Sequence, residues 1–324
     1  MLVVVSPGQG AQSPGMLAPW LELPVVAETI GRASATTGLD LVAHGTTSDA
    51  DTIRDTAVAQ PLLVASALAS LRAVLETDAD TPFADVLPGR ADALAGHSVG
   101  ELAAAAAAGV LSQEDALRLV AVRGAAMARA AAVTPTGMAA VLGGDPEEVL
   151  ASLAQHGLVP ANVNGGGQVV AAGTLEAVAA LVATLPTRAR VIPLQVAGAF
   201  HTEHMAPAVE ELRSAAASVT VHDPVLPLLS NADGALVASG TDALSRLVAQ
   251  VAHPVRWDLC QSTLVEHGVT GLLELAPGGV LTGLARRTLP GVETVALKSP
   301  ADLDAARDLV RRHAGTQLDT AADA

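Results

Sequence analysis

The sequence predicts an α/β fold in two parts, a large α/β domain interrupted by a small inserted subdomain. Three observations carry this reading. Leu2–Val5 and Ala91–Gly96 are short continuous apolar runs, the pattern of strands buried on both faces of a sheet. From Gly137 the rhythm changes to strand, helix, strand, strand, helix, strand (βαββαβ), the order of a ferredoxin-like unit. The chain has 324 residues, of which 50% are hydrophobic and 16% charged. That is enough apolar surface for two domains or one large one.

The elements follow in order. Leu2–Val5 is ended by Ser6-Pro7-Gly8. Ala57–Leu75 reads as a helix, with Pro61 in its first turn, where a missing N–H costs little. Ala91–Gly96 runs into Gly96-His97-Ser98-Val99-Gly100 and then an alanine-rich helix, Glu101–Ala108, closed by Gly109. Ser112 caps the next helix, and Glu114 and Asp115 in its first turn suit the helix dipole. In the insert, Met138–Leu142, Val159–Asn164, Gln168–Ala172 and Val191–Val196 read as strands. Asp145–His156 and Leu175–Leu185 read as helices, and Gly165-Gly166-Gly167 turns the chain between the middle strands. Glu203–Ala217, Thr241–Val251 and Asp258–His267 read as helices, Gly271–Leu275 as a strand, and Gly278–Arg287 leads into a further helix. The expected boundaries are 1–132 with 197–313 for the large domain, 133–196 for the insert and 314–324 for a polar, frayed tail.

Composition removes several function classes. Lys+Arg 18 against Asp+Glu 33 leaves a net charge of −15, and Lys298 is the sole lysine. Neither nucleic acid nor an anionic membrane surface suits that field. Two Trp, two Phe and no Tyr leave little for stacking on bases or sugars. Cys260 is the only cysteine, which excludes an intrachain disulfide and a cysteine-based zinc cluster. The longest apolar stretch is read as Leu102–Leu111, about half a bilayer-spanning length. The N-terminal run lacks the charged region and long apolar core of a secretion leader. A soluble cytoplasmic protein is expected.

Gly96-His97-Ser98-Val99-Gly100 fits the G-x-S-x-G nucleophile elbow, with an apolar strand before it and a helix-forming run after it. The turn would expose the Ser98 hydroxyl, and the following helix would aim the Val99 N–H at a developing oxyanion. Of the nine histidines, His97 adjoins the serine, and on a tight turn its side chain should point elsewhere. His201, in Gly198-Ala199-Phe200-His201, follows a strand and precedes a helix, a placement suited to a site residue. Arg123 shares a helix face with Ala116, Leu119, Val120 and Met127, while Arg118 and Arg129 lie opposite with the acids. A guanidinium on a buried face keeps its charge and needs an anion. That anion is either a ligand carboxylate or an internal Asp or Glu. The Gly8–Gln12 loop could lend a backbone N–H to the oxyanion. Asn162 and Asn164, before three glycines, also fit ordinary turn residues.

Together PGQGAQ, GHSVGE, VRG with Arg123, NVNGGGQVVAAG, GAFH and QVAHPVRW occur in one order across nearly the whole chain. The sequence closely resembles the malonyl-CoA:acyl carrier protein transacylases of fatty-acid synthesis. It is also similar to the acyltransferase domains of modular polyketide synthases. The resemblance implies an α/β-hydrolase-like domain with a ferredoxin-like insert and a site between them. It implies Ser98 as acylated nucleophile, His201 as base, and the Gln9 and Val99 backbone N–H groups as oxyanion hole. Arg123 would hold the malonyl carboxylate, Gln250 would orient His201 through its carbonyl, and Asn162 would lie near the site. Phe200 before the histidine looks like the malonyl-selective type. At position 253, where some relatives carry Asn, this chain has His253, a change that leaves the Gln250 carbonyl unaffected.

The implied partners are a coenzyme A thioester and a phosphopantetheinylated acyl carrier protein, with no metal or redox cofactor and a monomeric enzyme. Acyl carrier proteins are acidic, so docking needs a local basic patch, for which Arg188, Arg190, Arg286, Arg287 and Lys298 are candidates. The competing reading is a serine thioesterase or esterase on the same elbow. Such enzymes place an acid and then a late histidine after the serine. Here His201 lies mid-chain, no acidic partner stands out, and Arg123 has no purpose in a generic lipase. A non-catalytic carrier-protein binder would have no use for Ser98, Arg123 and His201 together.

Overall fold

A computed structural model of the chain describes residues 1–184 and 187–315. The large part opens with β1 (Leu2–Ser6), α1 (Pro24–Thr37), α2 (Leu41–Thr46), α3 (Thr56–Leu75), α4 (Phe83–Val86), β2 (Ala93–Gly96), α5 (Gly100–Ala107) and α6 (Gln113–Val133). A second run follows: β3 (Thr136–Gly143), α7 (Pro146–Gln155), β4 (Val159–Gly165), β5 (Gln168–Thr174), α8 (Leu175–Ala183) and β6 (Ala189–Pro193). The chain returns through α9 (Ala206–Ala216), α10 (Gly240–Ala249), β7 (Val255–Arg256), α11 (Trp257–Glu266), β8 (Gly271–Glu274), α12 (Val280–Thr288), β9 (Glu293–Ala296) and α13 (Leu303–His313).

The architecture is α/β with two sheets. The first has the order β2-β1-β8-β9, with every pair parallel. The β1 sequence explains its central place. Leu2 and Val4 pack into one apolar core and Val3 and Val5 into another on the opposite face. A strand apolar on both faces can sit only between two helical layers. The second sheet has the order β6-β3-β5-β4-β7. It is antiparallel except where β7 joins β4, with Asn162 beside Val255. β7 has two residues and comes from outside the 133–196 segment, so it stitches the second sheet to the large part.

Several elements differ from expectation. α3 begins at Thr56, capped by Asp55, so Pro61 lies in the second turn. α3 is also the most membrane-like helix by length and composition, rather than the Leu102–Leu111 stretch. Yet 94% of its apolar window is buried inside the protein. The strand expected over Val191–Val196 is instead Ala189–Pro193, beyond which only Leu194 still bonds to Met138. The helix expected from Glu203 opens with a 3₁₀ turn, Glu203–Met205, and α10 gives way to another at Gln250–Ala252. α1, α2, α4, β7, β9 and α13 were not anticipated, although Val26, Ile30 and Ala33 in α1 and Leu303, Ala306 and Leu309 in α13 are buried at helical spacing. Leu185 and the expected tail from 316 lie outside the described residues. Gly315, at the start of that tail, donates its N–H to Asp92 Oδ1 at 2.9 Å and is held there.

Candidate active site

β2 ends at Gly96 and α5 begins at Gly100, so Ser98 sits on a turn three residues long. Ser98 has φ 53°, in the left-handed region that costs a non-glycine residue roughly 1–3 kcal/mol. The flanking glycines make the turn possible. A Cβ at Gly96 would lie 2.1 Å from the Gly100 carbonyl carbon, and one at Gly100 would lie 2.3 Å from the Ser6 oxygen. Asn231 braces the strained loop. The chain at Pro227–Leu229 runs beside Leu94 of β2 and delivers Asn231 to the elbow. There Asn231 Oδ1 accepts from the Ser98 N–H at 2.7 Å and Nδ2 donates to the Gly96 carbonyl at 2.8 Å.

His201 faces the serine across the cleft and also has a left-handed backbone, φ 61°. Its Nε2 lies 2.7 Å from Ser98 Oγ, and its Nδ1 lies 2.8 Å from the Gln250 carbonyl. A carbonyl can only accept, so Nδ1 carries the hydrogen and Nε2 is left with its lone pair toward the hydroxyl. The Gln250 carbonyl opens the 3₁₀ turn after α10, where it accepts from the His253 N–H at 3.2 Å and has its second lone pair free for His201. Burial, then the nearby Arg123 charge, push the His201 pKa down to about 3, so the ring is neutral at ordinary pH. Among the described residues no carboxylate pairs with His201.

Arg123, on α6, is buried, 2% exposed. Its Nη1 donates to Gln60 Oε1 at 2.6 Å, and its Nη2 donates to Gln250 Oε1 at 2.9 Å and reaches Ser98 Oγ at 3.4 Å. Burial pulls its pKa down to about 10, against the attraction of Glu101, so it stays charged. Among the described residues it makes no ion pair. Of the two anions the sequence left open, an internal carboxylate is therefore not bonded to it. Arg118 and Arg129, by contrast, pair with Glu114, Asp115 and Glu211 on the surface.

Ser98 and His201 open onto a cavity of about 330 Å³ between the two sheets, and Arg123 lies behind its wall, reaching it beside Ser98 Oγ and through its partner Gln60. Gln9, Gln60, Ser98, Phe200 and His201 line the large-part side. Met138, Asn162, Asn164 and Gln168 line the second-sheet side, and Val280 and Leu284 of α12 close one end. The backbone N–H groups of Gln9 and Val99 have no hydrogen-bond partner among the described residues. Asn162 and Asn164 are not turn residues; both lie within β4. Asn164 Oδ1 meets His97 Nε2 at 2.8 Å, so the His97 side chain turns away from the serine onto the second sheet while still lining the cavity. His253 bonds through Nδ1 to the Ala249 carbonyl and leaves the Gln250–His201 contact intact.

A larger recess of about 830 Å³ lies elsewhere, around the C-terminal end of α3. Its buried cation, Arg72, is occupied by the Asp78 and Thr81 carbonyls, Gln113 and the face of Phe83. Among the described residues no histidine is bonded to a serine hydroxyl there; its Ser112 hydroxyl is bonded to Asp115 as part of the α6 cap.

Sequence reasoning missed Gln60, Glu101 and Asn231. Glu101 Oε1 accepts from the Asn231 N–H and Oε2 from Gln250 Nε2, and burial pushes its pKa up to about 8. A polar residue on a buried helix face is the signal that singled out Arg123, and it applies equally to Gln60 in α3 and Glu101 in α5. Asn231, in Ser230-Asn231-Ala232-Asp233-Gly234, looks like any turn.

Comparison with known proteins identifies the family. The acyl transferase domain family model matches residues 3–305. The malonyl CoA-acyl carrier protein transacylase of Mycobacterium tuberculosis is 52% identical over 304 residues, 94% of this chain and 98% of the relative. The Escherichia coli protein of the same name is 35% identical over 312 residues, again 94% and 98%. The crystal structure of MCAT from Mycobacterium tuberculosis superposes with a TM-score of 0.87 at 50% identity, covering 94% of this chain and 99% of that one. On this likeness across almost its whole length, the chain belongs to the acyl transferase domain family and, within it, to the malonyl CoA-acyl carrier protein transacylases.

Proposed function

We propose that the chain transfers the malonyl group of malonyl-CoA to the phosphopantetheine thiol of acyl carrier protein through a malonyl ester on Ser98, for fatty-acid synthesis. The observation that carries this reading is the buried Arg123 fork beside the Ser98 hydroxyl, held by neutral amide oxygens. Such a fork matches the two oxygens of a carboxylate and favours a diacid thioester over a monoacid one.

In the first half-reaction His201 Nε2 takes the Ser98 proton as Oγ attacks the thioester carbonyl. The Gln9 and Val99 N–H groups hold the oxyanion. The carbon–sulfur bond breaks and coenzyme A leaves as its thiol, taking the proton from His201. In the second half, His201 takes the proton of the carrier-protein thiol as its sulfur attacks the ester, and returns it to Ser98 Oγ. No metal or redox cofactor enters the scheme. The Gln250 carbonyl serves in place of a triad acid and keeps the Nδ1 hydrogen in place. Phe200 would crowd a methyl branch on the acyl carbon, and Asn162 would bound the acyl site from the second sheet.

We infer further that residues 1–132 and 197–313 form an α/β-hydrolase-like domain and 133–196 a ferredoxin-like insert. The strand–elbow–helix arrangement at Ser98 and the order β3-α7-β4-β5-α8-β6 support this. The polyketide connection rests on the motif likeness alone.

Arg188, Arg190, Arg286, Arg287 and Lys298 are exposed, and none of them makes an ion pair among the described residues. Arg287 packs against Gly166, at the end of the strand that carries Asn162 and Asn164. An acidic carrier protein would meet unpaired cations there despite the chain's net charge.

The test is a transfer assay with malonyl-CoA and holo acyl carrier protein. Malonyl-carrier protein should form, with free malonate a minor product. Malonate as the main product, indifferent to carrier protein, would favour a thioesterase. In the same assay, Arg286→Glu with Arg287→Glu should raise the apparent KM for carrier protein about tenfold, with the rate of Ser98 acylation unchanged. An unaltered KM would move the docking surface elsewhere.

A further inference from the structure

Glu101 is a buried carboxylate that the proposed chemistry does not use. It sits in the first turn of α5, three residues after Ser98, among alanines and a leucine. It touches no cation among the described residues, and its two oxygens accept from the Asn231 N–H and from Gln250 Nε2. A carboxylate buried against neutral donors is costly to hold, so what those donors do bears on its role.

The second donor is the informative one. Gln250 Nε2 faces three acceptors at once: Glu101 Oε2, the Ser98 carbonyl at 3.2 Å and Asn231 Oδ1 at 3.3 Å. An amide so surrounded has one sensible orientation, nitrogen toward the acceptors and oxygen away from them. The oxygen then points at Arg123 Nη2, at 2.9 Å. Reversed, the amide would set its NH₂ against the guanidinium and its oxygen against the Glu101 carboxylate. The backbone carbonyl of the same Gln250 holds His201 Nδ1. We propose that Glu101 is a positioning residue for substrate choice: it fixes the polarity of the Gln250 amide, and the amide fixes the Arg123 fork beside Ser98. This rests on Arg123 receiving the malonyl carboxylate.

Substitution by glutamine exposes the logic. Asn231 N–H and Gln250 Nε2 each need an acceptor, and a glutamine at 101 offers one oxygen and one NH₂. Either a donor meets a donor, or Gln250 turns round and repels Arg123. Glu101→Asp keeps both acceptors on a side chain one methylene shorter.

The experiment, run at about pH 9 so that Glu101, raised by burial to about 8, is ionised, measures Ser98 acylation rates with malonyl-CoA and acetyl-CoA by intact mass for wild type, Glu101→Gln, Glu101→Ala, Glu101→Asp and Arg123→Ala, alongside thermal midpoints. In Glu101→Gln the malonyl-to-acetyl rate ratio should fall about tenfold or more, and Glu101→Asp should recover part of it. A general loosening of the elbow would lower both rates alike and leave the ratio in place. A ratio within twofold of wild type in Glu101→Gln, or in Glu101→Ala (which removes both acceptors) should the glutamine variant fail to fold, overturns the proposal if Arg123→Ala collapses the ratio. If Arg123→Ala leaves the ratio unchanged, the reading of Arg123 falls and this proposal falls with it.

Discussion

Replacing His201 by alanine should slow acylation of Ser98 by malonyl-CoA about 10²–10⁴-fold, the usual contribution of a positioned general base. The geometry argues for the upper part of that range. Nε2 lies 2.7 Å from Oγ, and Nδ1 is fixed by the Gln250 carbonyl, so the ring is already oriented for proton transfer. Burial holds the imidazole neutral, its pKa down at about 3, so a base is present throughout the neutral range. Among the described residues no other ring nitrogen reaches Oγ. His97 adjoins the serine in sequence, but its Nε2 is engaged by Asn164 on the second sheet. Rapid-quench mass spectrometry of the malonyl enzyme reads the rate directly. A loss smaller than tenfold would mean that the hydroxyl is activated by something else.

Arg123→Ala should lower malonyl acylation about 10²-fold or more while changing acetyl acylation by only a few fold. A fork bonded to a buried carboxylate makes two charge-assisted hydrogen bonds, each stronger than a neutral one, and only the malonyl group has a second carboxylate. Lysine at 123 should not restore the difference, because a single ammonium cannot bond both oxygens in one plane. The site is arranged for this discrimination. Gln60 and Gln250 hold the guanidinium through amide oxygens, which fix its direction without neutralising it. An acid in either place would already occupy the fork. Equal losses for the two thioesters would make Arg123 a structural residue and remove the basis for a diacid substrate.

Much of this site is legible in the sequence, for identifiable physical reasons. The elbow is a local signal, because strand, turn glycines, serine and helix adjoin in sequence and the turn demands those glycines. Arg123 was legible because one charge on an apolar helix face breaks a periodic pattern. Its partners were not, since Gln60 and Gln250 lie 63 and 127 residues away and a side-chain pattern does not report which helices meet. His201 depended on resemblance more than on pattern, as a histidine after a strand is common. The Gln250 carbonyl could come from resemblance alone, because a backbone acceptor leaves no trace in residue type. β7 was invisible for a similar reason: two residues, Val255 and Arg256, are too few to show alternation. Asn162 and Asn164 fitted a strand or a turn by residue type; they belong to the strand expected over Val159–Asn164, and the glycines after them form the hairpin.

The central claim is that Ser98 becomes covalently malonylated with Arg123 holding the far carboxylate. Intact mass of the wild-type protein after incubation with malonyl-CoA, with carrier protein left out, tests it most directly. A single malonyl adduct that maps to Ser98 and is discharged by holo carrier protein is the predicted result. An unmodified Ser98, under conditions where carrier protein is malonylated once added, would contradict it.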